Sequence, residues 1–479
     1  MTGISNYRDH DGLGLAALIR QQEVTPTELL EAAIAAAEAA DPLVHALAQK
    51  LYDYGRKAAA GPLPQGAFTG VPFLLKDIGA PLAGTTSSMG SRFFADLPPA
   101  TMDSVLVERY KRAGLVIFGK TTTPEMALAA STEGSYVGAT RNPWALDRTA
   151  GGSSGGAAAA VAAGIVPAAH ASDGGGSIRI PSSCCGLFGM KPTRARNSAA
   201  PFAGEGWGSL SVNHVVSRSV RDSAALLDAT QGYVPGDPYC APAPIRPYLE
   251  EIGANPGQLR VALQTKPLSG VPVDPECEKA ARDAAALLES LGHHVEEATP
   301  PPGHWDELGA ALWVLVASNV SLTLKLRAEQ LGRPLRPDDV DPVTWSAVEF
   351  SAGLTVEDYP KALAAIHRQG RRMAEFHQTH DVILSPTLGQ PPVPLGPQST
   401  ANPDVEAYAK ALAQFSPFTQ LFNITGQPSM SLPLHWTPDG LPVGVMISGR
   451  FGDEGLLFRL ASQIEQAKPW FHKTANLGQ

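Results

Sequence analysis

Three side chains in this sequence have types and settings that could work together chemically. Two are glycine-flanked serines, in Gly151-Gly152-Ser153-Ser154-Gly155-Gly156 and Gly174-Gly175-Gly176-Ser177; the third is Lys76, which ends the apolar run Val71-Pro72-Phe73-Leu74-Leu75. A serine hydroxyl is a weak nucleophile at neutral pH and needs a base within hydrogen-bond reach. Histidine is the usual base, yet His170 and His214 lack the surroundings of the familiar serine hydrolases. The alternative is a neutral lysine, whose ordinary pKa of about 10.4 has to fall by several units, as burial beside dipoles and hydroxyls can bring about. Glycine supplies positive φ or close backbone approach, at an entropic cost that a purely structural stretch avoids. The second run therefore reads as a tight turn on which several N–H groups around Ser177 can point at one oxygen.

Competing readings of the same letters fail on context. Residues 151–155 fit G-x-S-x-G, but residues 145–150 are no apolar strand, so a nucleophile elbow is unsupported. Residues 114–121 fit G-x-x-x-x-G-K-[ST]. Their interior, Leu115-Val116-Ile117-Phe118, is large and apolar, and reads as a strand whose N–H groups go to a sheet and not to phosphates. His377 and His380 lack a strong third ligand and read as polar surface residues. Cys184, Cys185, Cys240 and Cys277 show neither a disulfide framework nor zinc spacing, and read as buried free thiols.

The elements that must position these groups alternate between helix and strand. Thr25-Pro26-Thr27-Glu28 is a capping box ahead of an amphipathic helix, and residues 44–59 read as a second helix. Asp103 reads as the cap of a helix to about residue 113, followed by the strand 115–118. Residues 157–163 read as an alanine-rich helix, 165–171 as a buried strand, and Ser219 opens another capped helix. A proline- and glycine-rich break at 235–258 precedes a second strand-and-helix unit. Residues 304–331 are helical and apolar on more than one face, which implies burial or a pocket wall. Strands are expected near 382–384, 430–434 and 444–448, and a closing helix over 454–466. This order favours an α/β architecture.

With 479 residues, 44% hydrophobic content and a net charge of −9, the chain reads as soluble and able to bury a substantial core. It has no basic run for nucleic acid, no stretch approaching the ~18 consecutive apolar residues of a membrane span, and no leader pattern in MTGISNYRDHDG. The expectation is a cytoplasmic protein without nucleic-acid or membrane partners.

Taken together, Gly-Val-Pro-Phe-Leu-Leu-Lys76-Asp77, Gly-Gly-Ser153-Ser154-Gly-Gly and Asp173-Gly-Gly-Gly-Ser177-Ile-Arg179-Ile-Pro181 resemble the amidase signature family in order, surroundings and serine spacing. Further blocks agree: Gly119-Lys120-Thr121 with Glu125, Asn142-Pro143, Gly189-Met190-Lys191-Pro192-Thr193, and residues 423–428 and 440–444. Residues 236–242, 246–248 and 255–257 are similar to the aminohexanoate cyclic-dimer hydrolase branch of that family. The resemblance implies a single α/β domain over residues 1–479, with a mixed, mainly parallel central sheet and helices on both faces. Its catalytic core would lie at about 65–235, a more variable substrate-pocket region at about 236–416, and a closing segment at about 417–470.

By the same resemblance Ser177 is the nucleophile, Ser153 a bridging serine on a cis peptide, and Lys76 the base, in an amide hydrolysis that uses no metal or organic cofactor. The N–H groups of Gly174, Gly175, Gly176 and Ser177 would form the oxyanion hole. Ser154, Asp173 and Arg179 read as supports, since a charged pair flanking the glycine turn can fix its shape. Gly174 departs from the family, which more often has a larger apolar residue there. Trp207, Trp313, Val316, Phe415 and Phe418 are expected to line an apolar pocket suited to an uncharged small-molecule amide. Linear or cyclic amides, esters and carbamates stay open as substrates. So do a homodimer and the alternative of a glutamine-hydrolysing subunit of a transfer-RNA amidotransferase.

Overall fold

The computed structural model describes residues 7–477, so the first six residues of the stretch read for a leader lie outside the described residues. An eleven-stranded sheet organises the chain. Its order is Leu47–Lys50, Val116–Thr121, Pro72–Lys76, Ala168–Asp173, Val212–Ser217, Phe188–Lys191, Ser429–Trp436, Pro442–Ser448, Val382–Pro386, Arg260–Leu263 and His294–Glu297. The sheet is mixed as expected, but its balance is reversed. Among the described residues six neighbouring pairs run antiparallel and four parallel. Helical crossovers do give parallel neighbours, as for Pro72–Lys76 beside Val116–Thr121 and Arg260–Leu263 beside His294–Glu297. Phe188–Lys191 and Val212–Ser217 are joined by a loop, and Ser429–Trp436 and Pro442–Ser448 by a short turn, so these strands fold back on their neighbours.

Several local signals act as read. Thr25 Oγ1 accepts from the Glu28 N–H at 3.2 Å while the Thr25 N–H donates to Glu28 Oε2 at 2.8 Å, which starts the helix Pro26–Val44. The supposed phosphate loop is the buried strand Val116–Thr121. Other boundaries move. The helix expected over 44–59 is the strand Leu47–Lys50 followed by the helix Tyr52–Ala60. Ser104, not Asp103, caps the helix Val105–Arg112, because Asp103 is taken by the Ala83 N–H and by Lys111. A short strand, Ala145–Thr149, does precede Ser153, though it pairs with Arg141–Asn142 and bridges to Pro394 outside the main sheet.

The helix Trp305–Gln330 carries Pro342–Ala352 and Asp358–Phe376 packed against it around Leu315, Val320, Leu324 and Ile366. The first is apolar and long enough to cross a membrane by length and composition, and half of its most apolar window is buried in the molecule. His377 and His380 are buried, contrary to the surface reading. His377 Nδ1 lies 3.1 Å from the His380 carbonyl and His380 Nε2 3.0 Å from Glu296. Cys184, Cys185 and Cys277 are buried free thiols, while Cys240 is exposed.

Candidate active site

Lys76 ends a strand held between Val116–Thr121 and Ala168–Asp173, so its backbone is fixed from both sides and its side chain is fully buried. Its Nζ lies 2.7 Å from Ser153 Oγ, 2.9 Å from Ser154 Oγ and 3.0 Å from Ser172 Oγ. Burial pushes the amine down to about 7, against the opposing pull of the Asp173 carboxylate. Ser153 follows Gly152 through a cis peptide bond. Ser154 Oγ also accepts from the Ser172 N–H at 3.3 Å and donates to the Ser172 carbonyl at 3.2 Å, which ties the two serine segments together. Ser172 is a third hydroxyl on the lysine that the sequence reading omits. Ending the strand at Ala171 instead of Asp173 leaves it outside the sheet.

The glycine turn is closed by a buried charge pair. Asp173 Oδ1 accepts from the Gly176 N–H at 2.7 Å and from Arg179 Nη2 at 2.9 Å, and Oδ2 accepts from the Ile178 N–H at 3.1 Å and Arg179 Nε at 3.0 Å. Burial alone would raise the Asp173 pKa, but the Arg179 guanidinium outweighs it and holds the carboxyl well below the usual carboxylate range. Two residues from the far end of the sequence complete this clamp. Asn423 bridges Asp173 and Arg179 through its amide, and Thr419 accepts from Arg179 Nη1 at 2.9 Å and donates to the Gly175 carbonyl at 2.6 Å. Gly176 sits at φ +137°, and a Cβ there would come within 2.5 Å of Thr419 Oγ1. The Gly176 N–H, expected to face a substrate oxygen, is spent on Asp173. The donors left from that set are those of Gly174, Gly175 and Ser177.

Ser153, Ser172, Gly174 and Ser177 open on one cavity of about 300 Å³, with Ile78, Leu106, Phe202, Trp207 and Val212 as its apolar lining. Of the five residues expected there, Trp207 lines it. Its ring lies so close to Gly174 that a Cβ at that position would meet it at 2.7 Å, so the indole occupies the space a larger residue 174 would fill. Contrary to expectation, the other four lie outside it. Val316 is buried within the packing of the three helices, Phe415 in the core beneath the N-terminal half, and Phe418 against Leu421, Phe422 and Met446. Trp313 lines a separate cavity with Trp305 and Tyr408. An all-round apolar helix looks the same in sequence whether its second face meets a ligand or another helix.

Residues 28–458 match the amidase family model. The chain belongs to the amidase family. This amidase is a hydrolase of carbon–nitrogen bonds in amides. It is 38% identical over 482 residues to the 6-aminohexanoate-cyclic-dimer hydrolase of Paenarthrobacter ureafaciens, covering 98% of this chain and 96% of that one. It superimposes on a solved 6-aminohexanoate cyclic dimer hydrolase with a TM-score of 0.91 at 36% identity, over 98% of this chain and 99% of the other. A solved glutamyl-tRNA(Gln) amidotransferase polypeptide from Thermotoga maritima is more distant: TM-score 0.78, 27% identity, 97% and 96% coverage.

Proposed function

We propose that this amidase hydrolyses uncharged, apolar or bulky amides through an acyl-enzyme, with Ser177 as nucleophile, Ser153 as proton bridge and Lys76 as base. The coordination of Lys76 carries this reading. A protonated amine only donates, whereas a neutral one donates twice and keeps a lone pair. Ser154 spends its own proton on the Ser172 carbonyl, so it accepts from Lys76. A second donation to Ser172 Oγ leaves the lone pair for the proton of Ser153, 2.7 Å away. Ser153 Oγ in turn takes the proton of Ser177 as the Ser177 oxygen bonds to the substrate carbonyl carbon.

The carbonyl electrons move to oxygen, which the Gly174, Gly175 and Ser177 N–H groups stabilise by roughly 3 kcal/mol each when aimed at the developing charge. Collapse of this adduct breaks the C–N bond, and the proton returns through Ser153 to the departing amine. Water then enters by the same route and releases the acid.

The apolar lining supports an uncharged substrate, and the charged groups around the cavity are already engaged. Arg194 donates to the Ser209, Asn423 and Ile424 carbonyls, Asp237 accepts from Ser198 and the Val234 N–H, and Glu205 accepts from the Ser209 hydroxyl. A glutamine site needs charges left over for the ammonium and carboxylate of an amino acid. The likeness to hydrolases of 6-aminohexanoate cyclic dimer favours cyclic as well as linear amides, and esters and carbamates fall within the same chemistry. The test is a fluorophosphonate reagent followed by peptide mass analysis, with label expected on Ser177 alone. The unmodified chain should also cleave a neutral anilide faster than glutamine, without RNA or ATP. Label on a different serine, or glutamine as the better substrate, overturns the reading.

A further inference from the structure

One fully buried titratable group next to the lysine has no part in this mechanism. His170 sits on the strand Ala168–Asp173, two residues before Ser172 and on the same side of the sheet, and its ring is enclosed on all sides. Its Nδ1 lies 3.1 Å from the backbone nitrogen of Lys76, and its Nε2 3.2 Å from Asn213 Oδ1. A backbone N–H can only donate, so Nδ1 is the acceptor and the ring carries its proton on Nε2. Burial keeps the imidazole neutral, with its pKa pushed down to about 3. Nε2–H therefore donates to Asn213, which fixes the side of that amide that holds the oxygen.

Asn213 stands directly opposite Ser172 in the antiparallel register between Val212–Ser217 and Ala168–Asp173. Cross-strand partners carry their side chains on one face, about 5 Å apart at Cβ. The residue lines the same cavity as Ser153 and Ser177, and its own carbonyl is pinned by Asn197 Nδ2 at 2.7 Å. With Oδ1 claimed by His170, the group left for the cavity is the NH₂. Through His170 it is tied to the backbone of Lys76, whereas the attacked carbonyl oxygen is assigned to the N–H groups of the glycine turn.

We propose that Asn213, aimed by His170, is a substrate-binding residue whose amide nitrogen donates to a second carbonyl oxygen of the substrate, so that the enzyme prefers diamides over simple amides. This rests on the amidase reading above and adds the substrate class. His170 is a positioning residue: it touches no substrate and acts through the orientation of Asn213.

The test compares 6-aminohexanoate cyclic dimer, a diamide, with butyryl 4-nitroanilide, which has one carbonyl. Asn213→Leu should raise KM for the diamide about tenfold, the worth of one good hydrogen bond, while changing KM for the anilide less than about threefold. Asn213→Ser, shorter and still polar, should do the same and covers the case in which the leucine variant does not fold. His170→Leu frees the amide to turn over, and should raise KM for the diamide more than KM for the anilide. Equal losses on both substrates, or losses in kcat with KM unmoved, mean that Asn213 is only structural and overturn the inference. Anilide hydrolysis with no turnover or binding of the diamide by the unmodified chain overturns it too, while leaving the amidase reading intact. Hydrolysis of neither substrate defeats that reading itself.

Discussion

The cavity wall that carries Ser153, Ser172 and Ser177 is made of strand ends and buried ions, whereas the wall that carries Phe202, Trp207 and Tyr239 is made of loop. In the first, Lys76, Asp173 and Arg179 are fully buried, and each oxygen or nitrogen they present has a partner. In the second, Phe202 is 52% and Tyr239 63% exposed, and Trp207, Gly208 and Ser209 all take the left-handed backbone conformation. Two of these three are not glycine, so their conformation is held by outside contacts, notably the bond from Arg194 to the Ser209 carbonyl. A displaced group in the first wall leaves a buried charge or donor unpaired. The second can change its side chains and keep the chemistry behind it. On the proposed mechanism, selectivity is therefore adjustable where reactivity is not.

The contrast breaks most visibly in the first wall. Ser177→Ala should lower kcat on a neutral anilide by roughly 10⁴- to 10⁶-fold with the protein still folded by circular dichroism. Ser153→Ala and Lys76→Ala should fall in the same range, and Ser177→Ala/Lys76→Ala should be little worse than Ser177→Ala alone, because the three act as a unit. Additive losses would show that the groups work separately.

Acidity probes the same wall more gently. The Lys76 pKa is lowered to about 7, so below that pH the amine is protonated and has no lone pair for Ser153. The value of kcat/KM should climb about tenfold per pH unit to near pH 7 and then level off, giving roughly a hundredfold between pH 5 and pH 8. A profile flat across that interval, with chemistry rate-limiting, would count against a lysine base.

The loop wall should show the smallest and most selective effects. Gly174→Ala drives a methyl group into the Trp207 ring and should cost about tenfold in kcat/KM; adding Trp207→Ala should restore part of it. Trp207→Ala alone should shift preference among acyl groups by about tenfold or less, measured over a series of anilides. Failure of the double variant to recover places the defect in the turn itself.

Much of the first wall is legible in the sequence, because a lysine after an apolar run and serines between glycines are local patterns. Asp173 and Arg179 are legible for the same reason, six positions apart across the turn. Ser172 escapes through an end-of-strand error of two residues. Asn423 falls in a family-like block, but its role escapes along with Thr419, because nothing near them in sequence speaks of a turn more than 240 positions away. The aromatic and apolar residues of the loops and helices carry no local mark that separates packing from lining, which is why Trp207 proves to be in the cavity while Trp313, Val316, Phe415 and Phe418 do not. Strand direction is lost similarly, since it depends on whether a connection crosses over or doubles back.

The Asn423 clamp also sets a schedule. The side chains proposed to move protons all lie between residues 76 and 177, but the turn that would receive the oxyanion is braced by a residue 250 positions beyond Asp173. Contacts of such long sequence separation form late, after the costs of closing the intervening chain are met. A ribosome-bound chain thus carries the serines proposed to react through about half of its synthesis without the brace that would arm them. On the proposed mechanism, hydrolytic competence waits for about the last eighth of the polypeptide, when the segment around Thr419 and Asn423 docks beneath Arg179.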